Sequence, residues 1–130
     1  MAGVASWGGV VRIVIADDDE TYLESLRGLI EAQSGLEVIG AARDGVEAIE
    51  LTELLGPDAL VIDPHMPQLD GLAAIARLRR DHPRLCLIAL TGDPAPVIHQ
   101  AASDAGADGV FLKGEFLEKL FARLTAIKGV

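Results

Sequence analysis

The chain has 130 residues, 50% of them hydrophobic and only 4% aromatic, with 20 acidic against 11 basic side chains for a formal charge of −9. That length fits one compact domain with nothing left for a second, and the scarcity of aromatics calls for a core of Ala, Val, Leu and Ile packed between regular elements. So large an acidic excess argues against direct binding to nucleic acid or anionic lipid, and no stretch reaches the roughly 18 to 20 apolar residues that a membrane span needs.

Residues 1–9, MAGVASWGG, lack the basic region of a secretory signal and read as a flexible tail in which Trp7 is incidental, so a cytoplasmic setting is expected. The domain then runs over 10–130. Val11 to Ala16 (VRIVIA) is a short β-branched run that stops at four acidic residues, as a buried strand stops on reaching solvent. From Glu20, apolar residues recur at Tyr22, Leu23, Leu26, Leu29 and Ile30, the spacing of one helix face, until Ser34-Gly35. Leu36 to Ala41 reads as a second strand. Asp44-Gly45 caps a second helix with Val46, Ile49 and Leu54 on its buried face, and Gly56-Pro57 ends it.

Ala59 to Ile62 is a third strand without polar alternation, which implies burial on both faces, and it runs straight into Asp63. After the loop PHMPQLDG comes a third helix, with Leu72, Ile75, Ala76 and Leu78 inward, closed by Asp81-His82-Pro83. Leu85 to Leu90 is a fourth strand ending at Thr91. It contains the lone Cys86, which reads as a small buried hydrophobe. A fourth helix follows Pro94 to Pro96 and runs to about Ala105. Gly109 to Leu112 is the last strand, ending at Lys113, and Phe116, Leu117, Leu120, Phe121, Leu124 and Ile127 mark an amphipathic closing helix. Five strand-helix repeats with short right-handed connections give an α/β fold, a parallel sheet with helices on both faces.

In such a sheet the ligand site lies beyond the carboxyl ends of the strands, where strand order reverses. Here those ends are Asp17-Asp18-Asp19, Asp63, Thr91 and Lys113. Any one of these aspartates has ordinary work as a helix cap. Together they do not, because carboxylates crowded at neighbouring strand ends repel by about 4 kcal/mol per close pair at an effective dielectric near 20. A cation is what such a cluster accommodates, and an all-oxygen site with room for water suits Mg²⁺. Lys113, ending an apolar strand, can pair with Asp63 and then with phosphoryl oxygens, and the Thr91 hydroxyl can donate to the same group.

The chain resembles the receiver domain of two-component response regulators from Val10 to Ile127. The matching pieces are IADDD at 15–19, PDALVIDPHMPQLDG at 57–71, IALTG at 88–92 and AGADGVFLK at 105–113. The resemblance implies a flavodoxin-like (βα)5 sheet of order 2-1-3-4-5 and transfer of a phosphoryl group to Asp63 from a histidine kinase or phosphotransfer protein. It also implies Mg²⁺ held directly by Asp18, Asp63 and the backbone carbonyl of His65, with Asp17 acting largely through water. Thr91 and Lys113 would be the phosphoryl-binding pair. The protein would catalyse its own phosphorylation and dephosphorylation and pass the signal to a downstream effector or output domain. Contacts, including a homodimer, would run through the fourth helix, fifth strand and fifth helix.

Departures from the family pattern lie at Val110, where receivers often carry an aromatic residue, and at Gly114, where many have proline. Phe111 is expected on the opposite face from Val110. The His65 side chain is expected either close to the attacking path, where it could alter phosphorylation or hydrolysis rates, or pointing into solvent, while His82 and His99 read as helix-surface residues without partners. Two other functions compete. Asp17, Asp19 and Thr21 spell the DxDxT motif of haloacid-dehalogenase-like phosphatases, which would make Asp17 the nucleophile, and a degenerate receiver would act only as an interaction module.

Overall fold

In the computed structural model, which describes residues 9–66, 70–115 and 117–128, five strands form one parallel sheet of order β2-β1-β3-β4-β5. Its strands are β1 (Val11–Ala16), β2 (Leu36–Ala42), β3 (Ala59–Ile62), β4 (Cys86–Thr91) and β5 (Gly109–Leu112). The helices are α1 (Glu20–Glu31), α2 (Gly45–Leu55), α3 (Gly71–Asp81), α4 (Pro96–Ala105) and α5 (Glu118–Thr125). Apart from Gly9, the tail expected over residues 1–9 falls outside the described residues, as does Phe116. None of the described helices is long and apolar enough to cross a membrane.

Strand alternation divides the core into two layers. Ile13, Ile15, Ala59, Val61, Ile88 and Leu90 pack against Leu23, Leu26 and Ile30 of α1 and Leu120 and Leu124 of α5. Val14, Ala16, Leu60, Ile62, Leu87 and Ala89 pack on the other face against Ile49, Ile75, Leu78 and Ala102 from α2, α3 and α4. Every residue of β3 is buried, as its unbroken apolar sequence requires.

The helix faces differ from the sequence reading at four positions. Leu29, Val46 and Leu54 are exposed at 51%, 48% and 78%, and Ala76 is exposed too. In α2 the buried positions are Gly45, Ala48, Ile49 and Thr52. Val46 and Leu54 lie on the side of that helix that carries the exposed Glu47, Glu50 and Glu53, so the charged residues rather than the apolar spacing mark the side that faces water. In α3, Ala74 takes the inward place given to Ala76. Strand β4 starts one residue later than expected, at Cys86, and includes Thr91.

Three helices begin on aspartate caps. Asp19 accepts from the Tyr22 N–H at 3.1 Å, Asp44 from Glu47 at 2.8 Å and Asp70 from Ala73 at 2.8 Å. Each cap fixes where a loop hands over to its helix, and so sets the rim on which the polar residues collect.

Candidate functional site

Strand order reverses between β1 and β3, and there the rim is acidic. Hydrogen bonds continue the sheet one residue past each strand: the Asp17 N–H donates to Ala42 O and the Asp63 N–H to Ala16 O, both at 3.0 Å. Asp17 and Asp63 are therefore held by backbone at adjacent strand ends. Both are buried, while Asp18 is exposed. Oxygens of Asp17, Asp18 and Asp63 lie within 4.8 Å of one another. The donor set is all oxygen, which fits a hard divalent cation.

Each buried carboxylate is oriented by a main-chain donor. Asp17 Oδ1 accepts from the Asp19 N–H at 2.9 Å, and Asp63 Oδ1 from the His65 N–H at 2.8 Å. Their remaining oxygens converge on one cation: Lys113 Nζ donates to Asp17 Oδ2 and, at 2.9 Å, to Asp63 Oδ2. Burial pulls the Lys113 ammonium toward neutrality, but the hydrogen bonds to Asp17 and Asp63 outweigh it and hold its pKa above the ordinary lysine value. Lys113 thus occupies the position of positive charge between the two carboxylates.

Thr91 is wholly buried at the end of β4, and its Oγ1 accepts from the Asp93 N–H at 3.1 Å. That contact uses a lone pair and leaves the hydroxyl proton to be donated elsewhere. The Lys113 N–H donates to Thr91 O at 2.8 Å, tying the two residues together through their backbones.

The loop after Asp63 folds back onto the strand end. A Cβ on Gly71 would lie 2.0 Å from Asp63 O and 2.6 Å from Pro64 Cα, so only glycine fits where α3 begins. His65 is exposed and meets Asp63 through its backbone N–H. Residues 67–69 of the loop lie outside the described residues. Gly114 makes a contrast: its φ lies outside the left-handed region and an added Cβ would meet nothing within 4 Å.

Val110 packs with the α2, α3 and α4 layer and Phe111 with the α1 and α5 layer, the opposite faces that alternation requires. His99, expected to have no partner, has one: its Nε2 lies 3.0 Å from Asp93 O and bridges α4 to the β4–α4 loop. His82 also has a neighbour, with Nε2 3.6 Å from Glu53 Oε2. The residue that sequence reasoning missed at the site is Tyr22, read there only as part of an apolar helix face. Its ring lies under the Lys113 ammonium, 4.4 Å from Nζ to the centroid.

Residues 13–125 match the family described as the response regulator receiver domain. The chain is 40% identical over 117 residues to the response regulator MprA of Mycobacterium ulcerans, an alignment covering 90% of this chain and 50% of that protein. It is 41% identical over 117 residues to MprA of Mycobacterium tuberculosis, again over 90% and 50% of the two chains. The chain therefore spans about half the length of the curated relatives it matches. Among solved structures it resembles the response regulator domain of Thermotoga maritima CheB, with a TM-score of 0.82, 25% identity and coverage of 93% of this chain and 98% of that one. The isolated REC domain of RcsB from Salmonella enterica serovar Typhimurium, in the presence of the phosphomimetic BeF3−, gives a TM-score of 0.82 at 28% identity over 93% and 91% of the two chains.

Proposed function

Because the chain belongs to the response regulator receiver domain family of two-component systems, we propose that Asp63 is its phosphoacceptor, taking the phosphoryl group from the phosphohistidine of a kinase or phosphotransfer protein. The observation that carries this reading is the placement of Asp63 at a buried strand end, sharing the Lys113 ammonium with Asp17. An Asp63 carboxylate oxygen forms the new bond to phosphorus as the bond from phosphorus to the donor imidazole nitrogen breaks, and that nitrogen leaves with the electron pair.

The cation assigned to the cluster is Mg²⁺, which Asp18, Asp63 and the His65 carbonyl would hold directly and Asp17 largely through water. When bound, Mg²⁺ would supply positive charge that offsets the negative charge of the transferred group. The residues of the chain do the rest. The His65 N–H fixes one Asp63 oxygen and thereby aims the other. Lys113 moves from pairing two carboxylates to pairing a carboxylate and a phosphoryl oxygen, and Thr91 donates its hydroxyl proton to the same group. Catalysis is thus positioning and electrostatics applied by the protein to its own side chain.

Output passes to an effector protein or attached domain through α4, β5 and α5, the same surface serving a homodimer, and the setting is the cytoplasm. His99 joins α4 to the loop that begins at Thr91, which supports a path from the hydroxyl to that surface. The phosphatase reading is weaker, because Asp19, the second aspartate of its motif, is engaged as the α1 cap and Thr21 is exposed. The assembled rim also weighs against a degenerate receiver.

Incubation with acetyl phosphate and Mg²⁺, followed by borohydride trapping and peptide mass spectrometry, tests the assignment. Label on Asp63 is expected. Label on Asp17 would transfer the role of nucleophile there, and no label at all would favour the interaction module.

A further inference from the structure

A lysine stem has four flexible carbons, and Lys113 leaves β5 at a turn whose next residues, Gly114 and Glu115, are exposed. The backbone alone does not fix where its ammonium points. Three side chains do: Asp17 and Asp63 accept from Nζ, and the Tyr22 ring presents its face at 4.4 Å. Tyr22 belongs to the first turn of α1, and its own N–H is the donor to the Asp19 cap. The ring is therefore anchored to the same segment that carries Asp17 and Asp18. Its hydroxyl is buried and has no hydrogen-bond partner among the described residues. A tyrosine whose hydroxyl makes no bond contributes through its ring.

We propose that Tyr22 is a positioning residue for Lys113, its ring face keeping the ammonium beside Asp63 when Asp17 is committed to a bound cation. This rests on the reading that Lys113 contacts the transferred phosphoryl group. In the structure the ammonium is drawn to Asp17 and Asp63 together. A bound cation would draw on Asp63 directly and on Asp17 through water, and the attraction of both carboxylates for the lysine would weaken as their charge is shared. The quadrupole of the ring is unaffected by that exchange, so it remains as the contact that stops the long stem from swinging into solvent. A leucine would fill much of the same space without offering a negative face.

The test compares initial rates of Asp63 labelling by acetyl phosphate with Mg²⁺ in the wild type, Tyr22→Phe, Tyr22→Leu, Lys113→Met and the Tyr22→Leu/Lys113→Met double variant. Tyr22→Leu is expected to slow labelling about 3- to 10-fold, the range that a partly desolvated cation–π contact supplies. Tyr22→Phe restores the wild-type rate, and the double variant is no slower than Lys113→Met alone. In proton NMR spectra the Lys113 Cε protons are shifted upfield by the ring in the wild type and in Tyr22→Phe, and the shift is lost in Tyr22→Leu. A wild-type rate in Tyr22→Leu, or equal slowing in Tyr22→Phe, overturns the proposal. So do unshifted Lys113 protons in the wild type, a measurement that needs no variant to fold. If Lys113→Met labels as fast as the wild type, the role of Lys113 in transfer fails instead, and the proton shift still decides whether the ring holds the ammonium.

Discussion

Strand β3 has an aspartate at each end, and the two are held in opposite ways. Before the strand, Asp58 Oδ2 accepts from the Arg12 N–H at 2.9 Å and pairs with Lys128 Nζ at 3.1 Å. The Arg12 guanidinium closes the same corner by donating to Leu55 O at 2.9 Å and Gly56 O at 3.0 Å. Strand β5 repeats the contrast. Ahead of it, Asp108 Oδ2 accepts from the Leu87 N–H at 2.9 Å and from Arg79 at 2.6 Å, while after it comes Lys113. At the amino ends each carboxylate has its own backbone donor and its own cation. At the carboxyl ends the backbone donors are present too, but Asp17 and Asp63 share one ammonium, with Asp18 close by. The same residue type serves as a staple at one rim and as an unbalanced charge at the other, and the imbalance makes the second rim receptive to a cation.

Exchanging aspartates at the two ends of β3 gives the largest expected effect. Asp63→Asn should abolish acyl phosphate formation while leaving the thermal midpoint close to that of the wild type: its single amide oxygen keeps only one of the two donors, the His65 N–H or Lys113, and the lost contact is offset by relief of repulsion from Asp17 and Asp18. Asp58→Ala should label normally and lose about 1–2 kcal/mol in urea unfolding, because a part-buried backbone N–H is orphaned. A protein in which Asp58→Ala fails to label would break the comparison. Next, Lys113→Met leaves two buried carboxylates without their cation and should destabilise the fold by about 3 kcal/mol in chelator. Millimolar Mg²⁺ should recover most of that loss if the rim is a cation site, as read from the unfolding midpoint with and without the metal. Asp108→Ala should cost about 2 kcal/mol and show no such recovery, its lost partners being Arg79 and a strand N–H.

The smallest effect concerns Tyr22, the only tyrosine of the chain. Burial raises its pKa above 10.0, with Lys113 opposing. The folded state therefore favours the protonated phenol, so this contribution is complete below pH 10.0 and is lost as pH rises through the folded value. Absorbance at the phenolate band should show a midpoint above 10.0 in the native protein and a return to the ordinary value in urea.

The carboxyl-end rim is legible in the sequence because parallel strands between short connections all deliver their last residues to one side, which gathers Asp17, Asp63, Thr91 and Lys113. The pairing of Lys113 with Asp63 is part of that reading, but the share taken by Asp17 is not, since it depends on where a flexible stem comes to rest. Tyr22 was hidden for a related reason: at helical spacing it is indistinguishable from a core residue, and the partner that changes its meaning lies at the far end of the chain. The outer faces of α1, α2 and α3 misled because Leu29, Val46, Leu54 and Ala76 continue the apolar spacing into solvent, while Thr52, a polar residue, is buried at 3% exposure. Spacing identifies a helix more securely than it identifies which side faces the sheet.

Two glycines of the carboxyl-end rim, Gly71 and Gly114, offer evolution very different freedom. In a saturation library selected for signalling, position 71 should return almost nothing but glycine, because any side chain begins with a carbon driven into the Asp63 carbonyl. Position 114, beside the lysine that the site depends on, should return a broad assortment. Drift among related genes will accumulate where the rim opens to water and stall where the backbone of Asp63 is itself the obstacle.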